Sequence, residues 1–291
     1  MFNPIPKVAA IHDLSGFGRS SLTIVIPILS NMGVQVCPIP TAVLSTHCEF
    51  DGYQIVDLTD HMKGTIEHWK KLNIRFDSIY SGFLGSKEQI AIVKKFIADF
   101  SKDNKFVVVD PVLGDDGKLY APFSKDMVKE MRSLIKSADI ITPNITEAAL
   151  LLDREYRSDF SEKEIKKWLL DLSEFGPEIV IITSVPDNSS RSKTTSVVAY
   201  SASDNRFWKV SCDYLPAKFP GTGDAFTSVI VGALLQGDSL PIALDRAVQF
   251  VSIGIRATFG YDYNSNEGFL LERVLGSLSS NVQKSSYELL D

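Results

Sequence analysis

Phe106-Val107-Val108-Val109-Asp110-Pro111-Val112-Leu113-Gly114-Asp115-Asp116-Gly117 is the stretch on which the fold turns. Its apolar run has no polar alternation, and that is how a strand covered on both faces of a parallel sheet reads. The polar residues come only where the strand ends. Outward from it the same pattern recurs. Short apolar runs at 7–12, 34–40, 78–83, 140–142 and 179–183 alternate with amphipathic, helix-like stretches at 19–32, 54–72, 87–100, 125–135 and 162–172. Strands alternating with helices imply βαβ units and a parallel sheet. The stretch 193–215 departs from this rhythm. There, 195–201 and 207–214 read as two strands joined by Ser203-Asp204-Asn205, which predicts an antiparallel edge. Helical periodicity returns at 224–235 and 241–258, with Asp238-Ser239 ahead of Pro241 as a cap and first-turn signal. The expected fold class is α/β, with a mostly parallel central sheet and an antiparallel edge, in one domain over 1–291.

Composition narrows the function classes. Of 291 residues, 44% are hydrophobic and 23% charged, enough apolar material for a large core. The net charge is −6 and the basic residues are scattered, which argues against nucleic acid as a partner. Cys37, Cys48 and Cys212 are odd in number and lack C-x-x-C spacing, so neither a disulfide framework nor a zinc knuckle is predicted. The opening MFNPIPKVAAIHD lacks the basic-then-apolar order of a signal peptide. No apolar run approaches the ~18 residues a bilayer requires. The expectation is a soluble, cytoplasmic protein with no membrane partner.

Four polar clusters stand at the ends of these apolar runs, where open α/β sheets bind ligands. In Pro220-Gly221-Thr222-Gly223-Asp224-Ala225-Phe226 two glycines open a helix. The free N–H groups of a helix's first turn form an anion site, and Asp224 there could take a proton from a hydroxyl attacking the same phosphate. A tight turn with a capping aspartate would look alike. Asp110 and Asp115, separated by a turn, could hold a hydrated Mg²⁺, or form an ordinary Asp/Gly turn. In Thr142-Pro143-Asn144-Ile145-Thr146-Glu147, Asn144 and Glu147 have capping-box spacing, which by itself explains their presence. Asp13-Leu14-Ser15-Gly16-Phe17-Gly18 follows the first strand but has no third glycine at Ser21, which disfavours a Rossmann oxidoreductase. A Walker-type G-x-x-x-x-G-K-[ST] is also absent.

Taken in order, Asp110-Pro-Val-Leu-Gly-Asp115, Thr142-Pro-Asn-x-x-Glu147, Thr183-Ser184 and Gly221-Thr-Gly-Asp224 resemble the ribokinase-like superfamily and, within it, the vitamin B6 kinases, over about 7–259. The resemblance implies a three-layer α/β/α fold and ATP-dependent phosphorylation of the 5′-hydroxymethyl group of a B6 vitamer. It implies Asp224 as base and Gly221, Thr222 and Gly223 as the anion hole. Asn144, Thr183, Ser184 and Asp115 would meet ATP, and Asp110, Asp115, Thr142 and Glu147 would organise Mg²⁺, with a monovalent cation, K⁺, left open. Asp13, Ser15, Ser45, His47, Cys48 and Phe83 would line the substrate pocket. A homodimer is the implied assembly.

The sequence also departs from better-known members. Asp-Leu-Ser-Gly replaces a Ser-His-containing opening, and Cys48 and Phe83 stand where Thr and Tyr are common. Cys48 also reads as a small buried hydrophobe, His47 as a core or surface histidine, and Phe83 as core. The alternatives are a hydroxymethylpyrimidine kinase or a non-catalytic metabolite-binding regulator. A sugar kinase fits less well, because no long lid is evident between Val34 and Tyr53.

Overall fold

The computed structural model describes residues 4–103, 105–121, 123–187, 194–279 and 286–290; Lys193, where the departure from the α/β rhythm begins, lies outside them. In chain order the elements are β1 (Lys7–Ser15), α1 (Leu22–Asn31), β2 (Gln35–Leu44), β3 (Ile55–Asp57), α2 (Thr59–Lys71), β4 (Ser78–Ser81), α3 (Lys87–Phe100), β5 (Phe106–Val109), β6 (Gly114–Asp115), β7 (Lys118–Leu119), α4 (Lys125–Ile135), β8 (Ile140–Ile141), α5 (Ile145–Leu152), α6 (Glu162–Ser173), β9 (Ile179–Asp187), β10 (Thr194–Ser201), β11 (Arg206–Asp213), α7 (Thr222–Gln236), α8 (Leu240–Phe259), α9 (Leu271–Val274) and β12 (Tyr287–Leu290).

Among the described residues ten strands form one sheet, ordered β12-β11-β10-β9-β8-β5-β4-β1-β2-β3, and β6 and β7 form a separate hairpin. From β9 to β2 all neighbours are parallel. The predicted antiparallel edge is β10 and β11, extended by β12. A second antiparallel strand, β3, borders the other side on β2. It corrects the expected helix over 54–72: Ile55 to Asp57 pair with Leu44 to Ala42, and the helix begins only at Thr59.

The continuous apolar run that opened the sequence reading splits between two cores. Val107 and Val109 face one, with α3, α4 and α6, and Val108 faces the other, with α1, α7 and α8. A strand sandwiched this way must be apolar at every position. That makes three layers, α/β/α. α7 is buried from Ala225 through Ala233. It lies between α1 and α8, which is why it reads apolar all round rather than amphipathic. Its entry carries the chemistry. β1 lies between β2 and β4, so the chain leaves it toward one side and later returns on the other; ligands of open sheets bind beyond strand ends at such a reversal. Among the described residues no helix is long and apolar enough to cross a membrane.

Candidate active site

Asp224 sits in the first turn of α7, whose N-cap Gly221 has φ 82° and supplies no side-chain cap. Only glycine is tolerated at 221. A Cβ there would stand 2.3 Å from the Arg19 carbonyl oxygen, in a left-handed conformation L side chains avoid. Gly223 faces open space, so an anion can approach the first-turn N–H groups closely. The backbone N–H of Ser21 donates to Asp224 Oδ2 at 2.8 Å. His12 Nδ1 lies 3.8 Å from Oδ1. Burial lifts the Asp224 carboxyl from 3.8 to about 7; the Ser21 bond opposes the rise and the Asp13 charge adds to it.

Asp13 and Ser15, at the end of β1, are brought beside Asp224. Ser21 Oγ donates to Asp13 Oδ1 at 2.5 Å, Ser15 Oγ to Oδ2 at 3.5 Å, and Ser20 Oγ to Ser15 Oγ at 3.2 Å. Burial raises the Asp13 carboxyl, with these hydroxyls opposing it. The result is a polar floor facing the anion site.

A second group lies at the ends of β5, β8 and β9. Asp110 and Thr142 are buried together under α7, where Thr227 Oγ1 donates to Thr142 Oγ1 at 3.0 Å and to Asp110 at 3.5 Å. Desolvation, then the Asp224 charge, pushes Asp110 well up; desolvation, then Asp110, does the same to Glu147. Asn144 and Glu147 form the full capping box of α5: Asn144 Oδ1 accepts Glu147 N–H at 2.9 Å, and Glu147 Oε2 accepts Asn144 N–H at 2.8 Å. Glu147 Oε1 also accepts Leu113 N–H at 3.0 Å, and Asn144 Nδ2 donates to the Gly114 carbonyl at 2.9 Å. Thr183 and Ser184 occupy a bulge in β9 opposite β10, and Ser184 has φ 57°. Bulges with strained residues re-aim side chains beside functional sites. Asp115 is half-buried in β6 and pairs with Lys218 Nζ at 2.7 Å.

Among the described residues no group of three or more His, Cys, Asp or Glu side chains could hold a metal ion unaided. Mg²⁺ does not require one, since it keeps waters and takes one or two carboxylates plus substrate phosphates. Asp110 fits that demand: it is buried near the Asp224 charge, with the hydroxyls of Thr227, at 3.5 Å, and Thr142 beside it. Glu147 has both oxygens committed to backbone N–H groups. It could act through its charge more readily than through a free lone pair.

The segment after β2 carries the remaining predicted residues. Ser45 and Gln54 close its base with bonds of 2.8 and 2.9 Å. His47 is buried; its Nδ1 accepts Glu49 N–H at 3.3 Å, so Nε2–H donates to the Asn266 carbonyl at 2.5 Å. Nε2 therefore latches this segment to the stretch before α9 while Nδ1 braces the segment internally, and Asn266 Nδ2 also bonds the Glu49 carbonyl at 2.9 Å. Arg19 fixes that stretch from the other side, through Glu272, Tyr263 and the Glu267 carbonyl. Cys48 is exposed, which corrects its reading as a buried hydrophobe, and partial burial together with Glu49 raises its thiol. Phe83 stacks on Phe123, centroids 5.6 Å apart, at the edge of the core.

Sequence reasoning missed His12, Arg19, Ser21, Thr227 and Lys218. Their signal is spatial: His12 sits inside an apolar run and Thr227 inside an apolar helix, and neither belongs to a motif.

The family model described as phosphomethylpyrimidine kinase matches residues 26–268. A candidate phosphomethylpyrimidine kinase from Bacteroides thetaiotaomicron, crystallised with pyridoxal, is 58% identical with a TM-score of 0.95, over 98% of this chain and 100% of that one. Pyridoxal kinase from Lactobacillus plantarum is 30% identical with a TM-score of 0.85, over 94% and 96%. A Dictyostelium discoideum pyridoxal kinase is 24% identical, over 98% of this chain and 92% of the relative.

Proposed function

The chain belongs to the phosphomethylpyrimidine kinase family of the ribokinase-like superfamily, and we propose that it is an ATP-dependent kinase that phosphorylates the 5′-hydroxymethyl group of pyridoxal, pyridoxamine or pyridoxine. The observation that carries this reading is Asp224: a carboxylate pinned by Ser21 N–H in the first turn of an uncapped helix, with burial holding its pKa at about 7. A general base works best with a pKa near the working pH. The ionised carboxylate takes the hydroxyl proton as the oxygen attacks the terminal phosphoryl group, whose bond to the bridging oxygen breaks so that ADP leaves. Charge on that group is met by N–H donors from Gly221 to Gly223. The proton ends on Asp224 and leaves with product release. Such transfer depends chiefly on positioning and electrostatics.

Asn144, Thr183, Ser184 and Asp115 complete the nucleotide end in this reading. Asp110, Asp115, Thr142 and Glu147 would organise Mg²⁺, which would neutralise phosphate charge when bound, and K⁺ is a further candidate. Asp13, Ser15, Ser45, His47, Cys48 and Phe83 surround the ring. A cytoplasmic homodimer belongs to the same proposal. Support for a B6 vitamer comes from relatives named pyridoxal kinase and from the 58% identical protein crystallised with pyridoxal.

Asp224→Asn should lower kcat by about 10²- to 10⁴-fold with ATP affinity retained; unchanged turnover would remove the base and the mechanism with it. The family description favours one second reading, phosphorylation of hydroxymethylpyrimidine. Comparing kcat/KM for the three vitamers and this pyrimidine decides: a clear preference for the pyrimidine replaces the B6 assignment.

A further inference from the structure

His12 is wholly buried in β1, and among the described residues neither of its ring nitrogens has a hydrogen-bond partner. Buried polar atoms in native proteins nearly always have one, so an orphaned imidazole marks a partner still to come. The ring is held firmly. It lies edge-on to Tyr80, centroids 4.3 Å apart at 78°. It also presses on Gly82, where a Cβ would come within 2.3 Å of Nδ1. Held so, Nδ1 faces Asp224 Oδ1 at 3.8 Å, about 0.6 Å beyond bonding range. The carboxylate's other oxygen is already taken by Ser21 N–H.

The titratable groups around Asp224 are His12 and Asp13 from β1, Tyr80 from β4 and Asp110 from the end of β5. Asp13 and Asp110 are carboxyls, and the Tyr80 hydroxyl lies by Thr227 and Ser228. His12 alone among them points a nitrogen at Oδ1. Burial lowers its pKa to about 3, so it is neutral at working pH and carries one N–H.

We propose that His12 is a positioning residue for Asp224: its Nδ1–H donates to Oδ1 when the loaded site closes, holding the carboxylate ionised and aimed at the substrate hydroxyl. This rests on Asp224 being the base. Catalytic hydrogen bonds are often long in unliganded sites and tighten on loading. A donor to the charged form offsets the desolvation that favours the neutral acid. The substrate proton goes to Asp224, and the Nδ1 proton stays on His12 throughout.

The test is the pH dependence of kcat and KM in His12→Leu, which removes the donor, and His12→Asn, whose amide restores an N–H near the Nδ1 position. In His12→Leu the acid limb of kcat should move up by about one unit. That lowers kcat about fivefold near pH 7, with recovery near pH 9 and KM little changed; His12→Asn should return the limb toward wild type. A folded His12→Leu whose limb does not move, or whose loss is the same at every pH, overturns the proposal. A variant that fails to fold leaves a reading on the wild type. Nitrogen-15 NMR of His12, one of four histidines, should show the Nδ1–H tautomer with and without Mg·ADP, and an Nε2–H tautomer or a charged ring overturns it. If the wild type phosphorylates no vitamer, or Asp224→Asn turns over normally, the kinase reading fails; if both hold and the limb is unmoved, only His12 does.

Discussion

A carboxyl lifted by burial from 3.8 to about 7 weakens the fold that holds it. The folded state binds that proton more tightly than the unfolded chain does. Stability is therefore fullest below about pH 3.8, falls as pH rises toward 7, and levels off above. At 1.36 kcal/mol per unit the ceiling is about 4 kcal/mol. The side chain is 16% exposed, so a loss on the order of 1–3 kcal/mol is the better expectation. Asp224→Asn should then melt higher than wild type near pH 8 and nearly equal to it near pH 4, even as turnover collapses. A calorimetric series across that range checks it, and a variant less stable near pH 8 contradicts it. At this scale His47, expected at the substrate ring, has both of its nitrogens bonded to backbone. Its substitution should act through the hold on the 45–54 segment.

Among the elements, α5 shows a local signal doing a local job. Asn144 and Glu147 close a reciprocal cap at the mouth of the site, as their spacing in the sequence predicts. Asn144→Ala should cost about 1–2 kcal/mol, read as a lower urea midpoint with unchanged m-value. A neutral result would mean the cap is satisfied some other way. Glu147→Gln should cost more than an exposed cap would, because its carboxylate also accepts from Leu113. β3 shows where local reading fails. Ile55 and Val56 sit just before a helix and look like its first turn, yet they are held by pairing with β2. Strand identity there comes from a neighbour distant in the chain, and no propensity within the window carries it.

The whole molecule brings Asp110, Glu147 and Asp224 into one electrostatic chain, each raised first by desolvation, with Asp224 acting further on Asp110 and Asp110 on Glu147. Such a site awaits positive charge. Nucleotide with Mg²⁺, at a hundredfold excess over Kd, should therefore stabilise the protein by about 2.7 kcal/mol over the unliganded chain, and nucleotide alone by less. Chelation with EDTA should reverse the difference. Equal melting shifts with and without Mg²⁺ would contradict a cation at this cluster. The same scale separates what could be read in advance from what could not. Alternating runs such as Phe106 to Val109, and the polar residues that end them, determined an α/β sheet with its chemistry at the strand ends, because periodicity and strand-end polarity are written in consecutive residues. The meeting of His12 and Ser21 with Asp224, of Arg19 with Glu272, and of Lys218 with Asp115 was decided only by the tertiary structure. Each joins residues about 100 to 250 apart in sequence, and burial, which sets the charge of the base, exists only once the layers close over it.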